Sequence, residues 1–73
     1  MSNTVITAAG ALAVVARARG AGWKVGAITD ALGIVPQTIR SWEVHPDRVP
    51  HPRIRAAVAA LAAKLDRAER RSR

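Results

Sequence analysis

Gln37, Arg40 and Ser41 lie within the run Pro36-Gln-Thr-Ile-Arg-Ser-Trp-Glu43, at spacings that put them on one face of a helix. Glutamine and arginine are the side chains that pair bidentately with adenine and guanine edges, and a serine hydroxyl can pair with either. Hydrogen-bonded recognition is the chemistry these residues offer. Bond-making chemistry has no comparable set. Cysteine is absent, which removes disulfides, thiolate metal sites and cysteine nucleophiles. Glu43 is too isolated to form an acid–base pair, and no Ser–His–Asp set or phosphate loop appears. His45 and His51 stand six apart beside Pro46 and Pro52, which is not a usual metal-ligand spacing. The chain therefore reads as a non-enzyme, with no metal, cofactor or small-molecule ligand expected.

Charge points to the kind of partner. Twelve Lys+Arg against five Asp+Glu leave +7 on 73 residues, so polyanions will attract the chain. Nucleic acid and anionic membrane are the main candidates. Ten of the twelve cations are arginine, which matches phosphates and guanine edges better than lysine does. Lys24, Arg48, Arg53 and Arg55 flank the segment 36–43 and are candidates for phosphate contact. Each alone is also what a solvated surface ordinarily carries.

The elements that must position these residues have little material to work with. Seventy-three residues make one small domain with a thin core. Sixteen residues are alanine, Phe and Tyr are absent, and Trp23 and Trp42 are the only aromatics. Leu, Ile, Val, two indoles and close alanine contacts must therefore build the core. Residues 5–16 form an apolar run resembling the middle of a signal peptide, but Met1 to Thr4 carries no basic side chain. The run is also too short to span a bilayer. It is expected to be the first helix of a cytoplasmic domain, with no membrane partner.

The first helix is expected over residues 7–19, with Thr4 or Thr7 as N-cap and Gly20 and Gly22 at its end. Leu12, Val15 and Ala16 should face inward, and Arg17 and Arg19 should reach solvent. A second helix over 25–32 puts Val25, Ile28, Thr29 and Leu32 on one face. Gly33 should turn the chain in the left-handed conformation, and Pro36 suits the first position of the next helix. That helix, to about residue 43, buries Ile39 and Trp42 and leaves Gln37, Arg40 and Ser41 outside. Pro46 and Pro50 make residues 44–51 a loop. A last helix from 52 to about 70 carries the stripe Ile54, Val58, Leu61, Leu65 and Ala68. The fold class is all-α: four to five helices with a long C-terminal one, a core over about 7–65 and a basic tail at 66–73.

Two helices joined by a tight glycine turn, the second exposing polar residues, form the helix-turn-helix pattern. Its core would be Ile28, Thr29, Leu32, Gly33, Ile34, Ile39 and Trp42. The stretch from Gly22-Trp-Lys-Val through Thr-Ile-Arg-Ser-Trp-Glu43 resembles the helix-turn-helix of Cro/phage-repressor-like DNA-binding proteins. The ending Ile39-Arg-Ser-Trp-Glu43 carries the likeness most clearly, and the resemblance covers about residues 8–65. It implies that the N-terminal part of helix 36–43 enters the major groove. Gln37, Arg40 and Ser41 would then contact bases, and Lys24, Pro36, Thr38, Arg48 and Arg53 the backbone. The chain departs from the family at Val25, where Gln is frequent, at Thr29, where Ala is, and at Val35, where a Ser or Thr cap is. A MerR-like or excisionase-like winged helix shares the glycine turn, but residues 45–51 are too short and proline-rich for a wing hairpin.

The C-terminal stripe has two readings. Its first half should dock on the helix-turn-helix core, and Leu61, Leu65 and Ala68 would extend it into a helix that makes a homodimer. The expected function is a sequence-specific double-stranded DNA-binding protein, a small transcriptional repressor of phage or mobile-element type. One alternative is an architectural or excisionase-like factor that bends DNA. Another, of a different class, is a basic module that grips an acidic protein partner.

Overall fold

The computed structural model describes residues 6–71, which form four helices and no strand. Helix α1 spans Ala8–Gly20, and the Thr7 hydroxyl accepts from the Gly10 N–H at 3.4 Å. Thr4 lies outside the described residues. At the other end Gly22 takes a φ of 101°, and the Trp23 N–H folds back to the Ala18 carbonyl at 3.0 Å. Only glycine adopts that conformation without cost, so the turn is written into the sequence.

Helix α2, Val25–Leu32, ends at Gly33 in the left-handed conformation, with φ 68° and ψ 35°. The Ile34 N–H then reaches the Thr29 carbonyl at 3.0 Å, which closes the turn. Helix α3, Pro36–Val44, opens with proline at the position where a missing N–H costs nothing. It runs one residue past the expected end, so Val44 belongs to α3 and not to the loop. Residues 45–51 form no hairpin, and a wing is therefore absent from the described residues.

Helix α4, Pro52–Arg71, is longer than its core contacts require. His51 caps it: its Nδ1 accepts from the Arg53 N–H at 3.1 Å, and its carbonyl accepts from Arg55 at 2.9 Å. The helix is expected to run to about residue 70, and its basic distal stretch, residues 66–71, is helical. Arg17 of α1 meets this stretch, donating through Nη2 to Asp66 at 2.7 Å and to Glu69 at 3.2 Å. Of the two carboxylates, Asp66 does most to raise the pKa of the guanidinium, followed by Glu69.

Helix α1 packs on each of the other three, and α2 packs on α3 and α4. The buried side chains are Ala8, Ala11, Val15, Ala18, Ile28, Leu32, Trp42, Val58, Leu61 and Leu65. Alanines on α1 let the helices approach closely, and Trp42 supplies the bulk they lack. Thr29 is buried too, and its hydroxyl is satisfied by the Gly26 carbonyl at 3.0 Å. Among the described residues no buried side-chain nitrogen or oxygen lacks a partner.

One inward assignment needs correction. Ala16 is exposed, because the buried face of α1 follows Ala8, Ala11, Val15 and Ala18 and leaves Ala16 on an open groove. Ala68, expected to lie beyond the docked half of α4, is exposed. Of the residues named for a dimer helix, Leu61 and Leu65 are 4% and 3% exposed and belong to the chain's own core. No helix among the described residues is long and apolar enough to cross a membrane.

Candidate nucleic-acid interface

The outer face of α3 is set by what its inner face must do. Trp42 is 3% exposed and Ile39 is half-buried, and together they pin the helix to the core. Ile34 and Leu32 hold the turn against the same core. Helical periodicity then sends Gln37 and Arg40 outward, where both are exposed, and leaves Ser41 half-buried at the edge.

Pro36, Gln37, Arg40, Ser41, Val44 and His45 line an open concavity of about 510 Å³. Val44 and His45 were not singled out in the sequence as part of this surface. The signal for Val44 was its phase, three residues after Ser41 and four after Arg40, had the helix been extended by one residue. Arg48 comes back from the loop onto this face, with Nη1 3.5 Å from the Ser41 hydroxyl oxygen. The expected base-contact set and one expected phosphate contact, Arg48, are thus neighbours on a single surface.

The other backbone candidates are distributed differently. Pro36 begins α3 and is exposed, and Thr38 is half-buried with its N–H bonded to the Val35 carbonyl at 2.9 Å. Lys24 precedes Val25, which shares a groove of about 540 Å³ with Pro36, Ile39, Arg40 and Arg19. Arg53 is exposed in the first turn of α4. Arg55 is turned to its own loop and donates to the Pro50 carbonyl at 3.1 Å. Trp23, half-buried, has the Lys64 ammonium 5.6 Å from its ring centroid, which occupies that face of the indole within the fold.

The charge on this surface is available to a ligand. Among the described residues only Arg17 has a carboxylate partner within salt-bridge distance. Lys24, Arg40, Arg48 and Arg53 therefore present positive charge without an ion-pair partner among the described residues. His45 and His51 belong to no cluster of metal-binding side chains among the described residues. The arrangement offers two bidentate hydrogen-bonding groups on an exposed helix, with a cation beside them. Comparison with family models, with curated proteins and with solved structures found no match to this chain.

Proposed function

We propose that the chain binds double-stranded DNA and reads sequence by laying the outer face of α3 in the major groove. One observation carries this reading. The left-handed Gly33 joins two helices so that Ile39 and Trp42 are held by the core while Gln37 and Arg40 project together into solvent. Arg40 would pair with guanine and Gln37 with adenine, and Ser41 would add a single bond. Arg48 and Lys24 would neutralise phosphates on either side. The biological role proposed with it is that of a small transcriptional repressor of phage or mobile-element type. A single copy makes few contacts, and two copies on a palindrome would raise affinity.

Selection from random duplexes at about 150 mM salt tests the reading, since non-specific binding weakens steeply with salt. The wild type is expected to enrich a motif that a Gln37→Ala/Arg40→Ala variant loses. Enrichment of nothing, or of the same motif by the variant, would overturn it. The symmetry of the motif reports whether two copies bind.

A DNA-bending factor is a second reading, favoured by the exposed Arg67, Arg70 and Arg71 on the far part of α4. They offer cations on a helix other than α3, as a protein touching a curved duplex requires. A measured bend that disappears when these arginines are replaced would support it.

A further inference from the structure

Val44 is 71% exposed, more than Val35 at 58% or Val49 at 48%. It is the last residue of α3 and lies four residues after Arg40, three after Ser41 and seven after Gln37. At the helical repeat, those intervals place it in the middle of the polar outer stripe. It also lines the same concavity as Gln37, Arg40 and Ser41. A valine there contributes nothing to the core and leaves apolar surface in water.

The major groove displays one apolar group among its donors and acceptors, the C5 methyl of thymine. Val44 also has the reach for it. Seven residues at 1.5 Å each put it about 10 Å from Gln37 along the helix, comparable with a groove about 12 Å wide. We propose that Val44 is a specificity-determining residue that packs on a thymine methyl within the site read by Gln37 and Arg40. The inference rests on the DNA-reading function proposed above.

The test replaces each thymine of the selected site, one at a time, with deoxyuridine, which lacks only the C5 methyl. Binding is measured for the wild type and for Val44→Ala, whose helical content is checked by circular dichroism. For the wild type, one substitution in each half-site is expected to weaken binding about fourfold, the value of one buried methyl-sized group. Val44→Ala should bind the thymine site more weakly and lose most of its sensitivity to deoxyuridine at that position. The inference is overturned by a wild type indifferent to deoxyuridine everywhere, by a selected site without thymine, or by a variant as sensitive as the wild type. Any of these with a motif that depends on Gln37 and Arg40 removes Val44 alone. A selection that enriches nothing removes the DNA-reading function and this inference together.

Discussion

The N–H of Ala8 donates to the carbonyl of Arg48 at 2.7 Å, and the next N–H, of Ala9, donates to Pro46 at 2.9 Å. The loop that follows α3 is thus a cap on the first turn of α1, some forty residues earlier in the chain. Helix starts normally leave their first N–H groups to side chains or water. Here a proline-bearing loop meets that need and, by doing so, fixes where α3 ends. The same loop carries Arg48 to the α3 face. One set of bonds therefore stabilises the core and orders the edge of the proposed interface.

Amide exchange should reveal this cap. First-turn amides ordinarily exchange quickly, because nothing in the helix accepts from them. Ala8 and Ala9 are expected to exchange as slowly as residues in the middle of α1. Fast exchange at both would show that the loop does not hold α1 in solution.

Val35 offers a direct gain in stability. It occupies the N-cap of α3 in an extended conformation, with φ −113° and ψ 160°, and supplies no side-chain bond. The side chain is mostly exposed, so its removal costs little packing. Val35→Ser is expected to stabilise the domain by about 0.5–1 kcal/mol through a new cap. In a domain this small that raises the melting temperature by several degrees. A melting temperature that stays the same or falls would show that Pro36 already supplies what the cap would add.

His51 does at α4 what Val35 fails to do at α3. Its ring nitrogen accepts the Arg53 N–H at 3.1 Å. His51→Ala should cost about 1 kcal/mol, whereas His51→Asp should restore or exceed the wild-type stability by capping and by placing a negative charge at the helix N-terminus. Chemical denaturation of the three proteins separates them. Equal midpoints for wild type and alanine variant would count against the cap.

These caps also mark where sequence reasoning reached and where it stopped. Gly33 and Pro36 declared the turn and the start of α3, because each fixes its own backbone whatever surrounds it. Ile39, Trp42, Gln37 and Arg40 followed from one helical phase. Ala16 did not, since alanine suits a buried or an exposed face equally and only packing decides between them. Leu61 and Leu65 looked free for a partner because how much of α4 packs on α1 and α2 is set by contacts between elements distant in the chain, which helical phase alone does not show. The Ala8–Arg48 bond was invisible for a similar reason: it joins backbone groups, and no side chain announces it.

Arg17 holds the distal turns of α4 through exposed ion pairs, and such pairs contribute little to global stability. Arg17→Ala is therefore expected to leave the melting temperature nearly unchanged while speeding amide exchange over residues 66–71. Raising the salt should reproduce the effect in the wild type, because exposed charges are screened. A variant that melts far earlier would mean that α4 beyond Leu65 matters to the core.

Arg40 and Arg53 separate reading from attraction. Arg40 shares the outer face of α3 with Gln37, whereas Arg53 stands in the first turn of α4. If Arg40 pairs with a guanine, Arg40→Ala should cost about 1–3 kcal/mol on the selected site and relax preference at one base position. Non-specific DNA should be bound only slightly less well. If Arg53 meets a phosphate, Arg53→Ala should weaken binding to all sequences alike and reduce the slope of log affinity against log salt by about one. Titrations of both variants on selected and scrambled duplexes, at several salt concentrations, decide the matter. Uniform losses for both would make α3 an electrostatic surface and not a reader, because a lost base contact must show at its own base pair.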